Sequence, residues 1–310
     1  MLARNFIYDI FLNMTVIFGL LLALQQESTE KITHRFLVCG GETYIVEADD
    51  SIRWRYPRNT RDGWALPDGH VLLAVTKSKE YPSGAVVEVD RDGKTLFEFK
   101  GTQSEVDTVQ PLPNGNILLT ESGKAPRLLE IDRSGKIVVE VALKCQTSNH
   151  HMETRMARKL PNGNYLVPHL LDHVVREYKP DGSTAWEAKT PEEPKECWPF
   201  TAIRLENGNT LVNLTHGNRS VEFDAAGKIV WQVTNEDLGA PLFRDPCGAQ
   251  RLPNGNTVIA SYGQGGKGVK LFEVTREKKV VWTWSSDKPG VHQVHVLETG
   301  GKPVEGAPQR

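Results

Sequence analysis

The sequence predicts an all-β fold, a six-bladed β-propeller of four-stranded antiparallel blades, on three observations. One five-residue phrase recurs at a near-constant step, a second phrase keeps the same step between its copies, and the two chain ends supply complementary parts of one further copy. The first phrase is LPDGH at 66–70, LPNGN at 112–116, 160–164 and 252–256, and LENGN at 205–209. Its leucines, Leu66, Leu112, Leu160, Leu205 and Leu252, step by 46, 48, 45 and 47 residues, and a fixed period of this size marks a repeat architecture. The second phrase reads VVEVDRDGKTLFEF from Val86, LLEIDRSGKIVVEV from Leu128, VREYKPDGSTAWEA from Val175, VEFDAAGKIVWQV from Val221 and LFEVTREKKVVWTW from Leu271, with a weaker copy from Tyr44.

Both phrases read as hairpins, because apolar alternation on either side of Asn-Gly or Asp-Gly signals two antiparallel strands joined by a tight turn with positive φ. Each period then holds four strands: a first ending at the leucine, a second after the turn (NILLT and relatives), a third (LLEID) and a fourth (KIVVEV). Four antiparallel strands in such a period make one propeller blade. The N-terminal copy has a second strand at 36–39, a third at 44–48 and a fourth at 52–56, but no first. HQVHVLETGG, from His292, reads as a first strand with a degenerate turn and no second. Joined, the two ends complete a sixth blade, so the C-terminal strand closes the ring on the N-terminal ones and removes the open sheet edges.

The expected organisation is a signal peptide or N-terminal anchor over 1–30, the propeller over 33–300 and a flexible tail over 301–310. Between Asp9 and Glu27 there is no charge, and the apolar run from Met14 has the length of a signal-peptide core, shorter than the ~20 residues that span a bilayer. Export to an extracytoplasmic location is therefore expected, with an uncleaved anchor as the alternative and Met14 as a second possible start. A net charge of −2 gives no basic footprint for nucleic acid, and neither a phosphate loop nor a dinucleotide fingerprint is present. A monomer is expected, with no cofactor and no bound metal.

In this register the second-to-third turns and the fourth-to-first crossings share one face, the top. Cys39, Cys145, Cys197 and Cys247 all fall near it. Cys145 with Cys197 and Cys39 with Cys247 join neighbouring blades and are the candidate disulfides, against free thiols as the alternative. Six of the nine histidines also map to the top, among them His150, His151, His169, His173, His216 and His292. The crossings preceding the third, fourth and fifth blades are the longest, and excess loop on one face of a rigid scaffold is where binding residues sit. With Arg61, Asp62 and Asp107 at the first-strand starts, they bring Arg155, Trp198, Arg244 and Asp245 to the channel mouth, a lining suited to a polar or sugar-like ligand. Trp54, Trp186, Trp231 and Trp282, with Phe97 and Val139 at equivalent places, recur with the repeat and are expected to join blade to blade. Trp64 and Trp198 do not recur and are the candidates for ligand stacking. A metal would need several of these histidines to converge with a carboxylate, and no local spacing supports that.

The run of an acidic residue, Gly-Lys and then Trp in DAAGKIVW, from Asp224, is similar to the docking motif of pyrroloquinoline-quinone-type propellers over most of residues 33–300. LPNGN also resembles the propeller of bacterial arylsulfotransferases, whose fold is six-bladed and whose chemistry uses histidines near the channel. Their motif is approached by HQVHVLETGG, and the resemblance implies a nucleophilic or acid-base role for His292. The other blades carry Arg61, Asp107, Arg155, Phe200 and Cys247 at that position. Two functions are expected. The first is an exported propeller that binds a small polar or glycan-like ligand, or a protein partner, through its top face without chemistry. The second is an arylsulfotransferase-like or glycan-active enzyme, with His292, His169 or His216 as acid, base or nucleophile and Arg155 or Arg61 stabilising developing negative charge.

Overall fold

A computed structural model describes residues 31–310, so the expected signal segment lies outside the described residues. Six sheets follow one another along the chain, five of them four-stranded. Their first strands are Thr60–Ala65, Glu105–Pro111, Arg158–Lys159, Cys197–Arg204 and Pro246–Arg251 for blades 1 to 5, and Val291–Thr299 for blade 6. Blade 6 is completed by His34–Gly40, Thr43–Val46 and Ile52–Tyr56, with Val291–Thr299 pairing antiparallel to His34–Gly40 from His34↔Thr299 to Gly40↔Val291. The ring closes as the two chain ends predict.

The repeated phrase does the same work five times. In LPNGN at 112–116 the Gly115 N–H donates to the Leu112 carbonyl at 2.9 Å and the Leu112 N–H to the Asn116 carbonyl at 2.9 Å. Leu66, Leu160, Leu205 and Leu252 lead identical turns. Gly115 sits at φ +85, a region costly for any residue with a Cβ, which is why glycine holds this place in every copy. The leading leucine turns inward and is buried in four of the five copies, anchoring the turn.

Middle strands are buried on both faces, as in VLLAV of blade 1 and TVIAS of blade 5, whereas fourth strands such as TLFEFK alternate toward solvent. The reason is the core. Most of it lies in six apolar clusters, each between adjacent blades, for example Leu166 and Val175 of blade 3 against Ala202, Val212 and Val221 of blade 4. Every blade therefore needs its neighbours to bury its faces.

Two recurring devices bolt the blades together. The fourth-strand tryptophans reach across: Trp186 Nε1 donates to the Ala225 carbonyl and Trp231 Nε1 to the Arg276 carbonyl, both at 2.9 Å, and Trp282 meets His34 edge-on at 4.6 Å. Arg276 also lies over the Trp231 ring at 5.0 Å. Replacing half-buried Trp231 by alanine is expected to cost about 2 kcal/mol of unfolding free energy in urea, less than for a fully buried tryptophan. The second device is a buried glutamate on the third strand of each of blades 1 to 5. Glu130 receives Lys159, Glu177 receives Arg204 at 2.9 Å, Glu222 receives Arg251 at 2.7 Å, and Glu273 pairs with the His34 ring at 2.8 Å, each partner coming from the next blade.

Residues 301–310 do not hang free. Lys302–Pro303 adds a short strand to blade 6, the Arg251 N–H donates to the Gln309 carbonyl at 2.9 Å, and Arg310 is buried. No helix among the described residues is long and apolar enough to cross a membrane.

Candidate functional site

The first strands of neighbouring blades approach one another, so their side chains meet along the channel. Those nearest the top form a mouth layer drawn from five blades. Arg61 of blade 1 donates to Glu105 Oε2 of blade 2 at 2.5 Å, and Arg155, just ahead of blade 3, donates to Asp107 Oδ1 of blade 2 at 3.1 Å. Arg155 lies over Phe200 of blade 4 at 5.9 Å. Phe200 stacks at 6.1 Å on His292 of blade 6, whose other neighbour is the Tyr262 ring at 4.5 Å. His151 joins the layer through Glu105 Oε1, at 3.0 Å.

Charge in this layer is buried and incompletely matched. Arg155 and Asp107 are almost wholly buried, and the Nε atoms of Arg61 and Arg155 and the Nδ1 of His292 are buried without hydrogen-bond partners. Arg61 Nε lies 3.5 Å from Asp107 Oδ1, outside hydrogen-bonding geometry, and the pair is an ion contact only. Burial pushes Arg155 down to about 10, with Arg61 adding repulsion, so it stays charged at neutral pH. Burial opposes ionisation of Glu105, but His151 and Arg61 outweigh it and hold the carboxyl at about 2. For Asp107 burial wins over Arg155 and Arg61, and its pKa rises. His292 is pushed down to about 3 by burial and by the Arg61 and Arg155 charges, so its imidazole is neutral.

One step along the same strands lies a floor layer. Asp62 accepts from Arg158 at 2.8 Å and from Thr108 Oγ1 at 2.9 Å, and Arg310 Nη2 donates to Asp62 Oδ1 at 3.1 Å. Burial alone would raise the Asp62 pKa, but Arg158 and Arg310 hold it down. Trp64 donates Nε1 to the Val109 carbonyl at 2.7 Å and lies under the guanidinium groups of Arg310 and Arg158, at 4.3 and 5.4 Å. Asp62 and Trp64, expected at the mouth, thus belong to the floor, where the chain's own arginines cover them. His295 lies beside Trp64, its Nδ1 accepting from the Ala65 N–H at 3.2 Å.

The three candidate catalytic histidines sit in separate clusters, and no hydrogen bond, ion pair or ring contact joins any two of them. His169 is fully buried, with Nε2 against the Tyr178 hydroxyl at 3.0 Å and Nδ1 against Cys145 Sγ at 3.4 Å. Lys144 N–H donates to the same hydroxyl, so a neutral chain running Tyr178 O–H to Nε2 and Nδ1–H to sulfur satisfies every group, and no nitrogen is left for a ligand. His216 is exposed, its ring tilted against that of Trp198 at 4.3 Å and bonded to Glu196 at 3.1 Å. Its other nitrogen is 3.7 Å from Asp245. His150 pairs with Glu153 at 2.7 Å, and Arg244 is exposed.

All four thiols are free, so neither candidate disulfide forms. Cys145 faces His169 while Cys197 faces the Pro194 carbonyl, and Cys39 and Cys247 lie in different apolar clusters. Burial raises all four, Cys39 to about 12, so none is a ready thiolate. Among the described residues, Asp68 and His70 in the first bottom turn and Glu88 on the third strand of blade 1 bring three ligand-type atoms together. His70 Nδ1 is hydrogen-bonded to Glu88 Oε1 at 3.1 Å and lies 3.2 Å from Asp68 Oδ2, Asp68 Oδ1 accepts from the His70 backbone N–H, and Arg133 completes Glu88, so each of the three has a protein partner.

Glu105, Tyr262, Arg158, His295 and Arg310 were not among the expected site residues. Glu105 had a signal: it precedes Asp107 by two on one strand and so shares its face. Arg310 had none.

No family model matches the chain, and no curated protein matches it. Solved structures do. A protein of unknown function from Bacteroides caccae is 24% identical, with a TM-score of 0.74 over 84% of this chain and 98% of its own. The likeness is one of fold. A virginiamycin B lyase from Staphylococcus aureus matches at 15% identity and TM-score 0.53, over 74% and 71% of the two chains. A periplasmic gluconolactonase from Pseudomonas aeruginosa matches at 11% and 0.56, over 86% and 99%. These neighbours include enzymes and a protein without assigned activity, so the shared scaffold does not select a chemistry.

Proposed function

We propose that the protein is an exported propeller whose channel mouth binds a small polar ligand carrying an acidic group, a carboxylate or sulfate, beside a ring or sugar face. The observation that carries this reading is the set of buried donor atoms at one mouth, Arg61 Nε and Arg155 Nε, left without partners next to the stacked Phe200, His292 and Tyr262. A buried guanidinium nitrogen without an acceptor costs free energy that an anionic ligand would recover. The aromatic groups supply the apolar contact typical of small-molecule sites. Export is supported by the uncharged apolar stretch after Asp9.

The enzymatic alternative would place proton transfer on His292. An imidazole pushed down to about 3 is a weak base and is already unprotonated, so it cannot act as an acid near neutrality. His292 is therefore no proton donor near neutrality, and binding through the unpartnered donors at the mouth is the favoured reading. The test is thermal shift with glucuronate, 4-nitrophenyl sulfate and glucose. The two anions are expected to raise the melting point and glucose to leave it unchanged, because a ligand bound only by the native state stabilises it by mass action. Arg61→Gln is expected to abolish the shift. Equal shifts with glucose, or none with either anion, would remove the anion reading, and release of 4-nitrophenol would restore the enzymatic one.

A further inference from the structure

The channel floor, one layer below the mouth, is where the last residue of the sequence is buried. After Gly300 and Gly301, both at positive φ, the chain pairs Lys302–Pro303 with the end of Val291–Thr299 and then crosses the bottom face to Arg310. Residues 305–307 of this strap are exposed, and a groove of about 340 Å³ lies beside it, walled on the other side by Glu206, Arg251, Leu252 and Pro253. The strap is held at its ends rather than along its length.

At the far end the contacts are those of arginine recognition. Arg310 Nη2 donates to Asp62 Oδ1 at 3.1 Å, Nη1 donates to the Gly63 carbonyl at 2.5 Å, and the guanidinium lies 4.3 Å from the Trp64 ring centre. Arg158 Nε donates to the Arg310 carbonyl at 2.7 Å, and the Arg251 N–H takes the Gln309 carbonyl. A carboxylate and a carbonyl set for a planar fork, with an aromatic face beneath, select guanidinium over ammonium. Asp62, Gly63 and Trp64 are all buried, so the site is built rather than incidental. The occupant is nevertheless imperfectly matched. Arg158 also binds Asp62, at 2.8 and 3.3 Å, leaving two guanidinium groups on one carboxylate, and Arg310 Nε is buried without a partner.

We propose that the channel floor is an arginine-recognition site, filled in cis by Arg310 on a strap anchored at its two ends, and open to the arginine side chain of another peptide segment when the strap lifts. The test uses Arg310→Ala in the full chain. The variant is expected to melt several degrees below the unsubstituted protein. Ethylguanidinium chloride at millimolar concentration restores most of the loss, ethylammonium at equal ionic strength restores little, and the unsubstituted protein responds to neither. Adding Asp62→Asn removes the rescue. The peptide GAPQR binds Arg310→Ala, and GAPQA does not. Should Arg310→Ala not fold, refolding in ethylguanidinium against ethylammonium gives the same comparison. An unchanged melting point, no rescue, equal rescue by ethylammonium, or failure of GAPQR to bind overturns the proposal.

Discussion

Glu222→Ala is expected to cost about 3–5 kcal/mol of unfolding free energy, the range for breaking a buried ion pair by removing one partner. Glu222 is fully buried on the third strand of blade 4 and accepts from Arg251 Nη2 at 2.7 Å, with Arg276 as a second partner on the same oxygen. Both cations belong to blade 5, so one substitution severs two links between blades. Arg251 keeps little solvent contact, 14%, and would be left mostly buried and without its carboxylate, whereas Arg276 is 42% exposed and can rehydrate. That difference decides the ordering. Arg276→Ala should cost under about 1 kcal/mol, as exposed pairs do, and Glu222→Gln should fall between the two. Urea unfolding with an unchanged slope measures all three. If Glu222→Ala costs no more than Arg276→Ala, the glutamate does not hold the blades together.

That glutamate was legible in the sequence as a letter without a meaning. Glu88, Glu130, Glu177, Glu222 and Glu273 recur at the same place in the second phrase, as plainly as the tryptophans do. Apolar periodicity explains the strands but is silent on a charged residue that alternation places on a buried face. Its partner comes from the next repeat, a separation that no local pattern encodes. The blade count and ring closure were readable because they follow from turn chemistry and chain ends, both local. The mouth was half readable: the strand register brought Arg61, Asp107, Arg155 and His292 to one face. It could not say that His169 points inward against Cys145 and Tyr178, because rim and interior differ by a side-chain direction rather than a position. Arg310 reaches Asp62 only through the path of the strap, and that path is a tertiary fact.

Acid is expected to unfold the protein well before its carboxylates titrate. His169 and His292 are pushed down to about 3 and His295 well below the usual range, in each case first by burial and then by nearby arginines. A depressed folded pKa means that the unfolded chain takes up the proton first. Stability is therefore full above the unfolded value of about 6.5 and is lost as pH falls through it, at about 1.4 kcal/mol per pH unit for each histidine. Three such groups give a limiting slope of about 4 kcal/mol per unit and a loss of at most about 6 kcal/mol between pH 7.5 and 5, a large share of the stability of an ordinary domain. Asp62, Glu105 and Glu273, whose carboxyls are held low despite burial by neighbouring arginines or by hydrogen-bond donors, add to the loss only below about pH 4.5. Asp107, raised by burial, works in the opposite direction and offsets part of it. Urea unfolding at half-unit pH steps measures the slope, and His292→Gln, which removes one of the three protons, should flatten it by a third. A slope of less than one proton between pH 6 and 5 would mean that these histidines reach water in the folded ring.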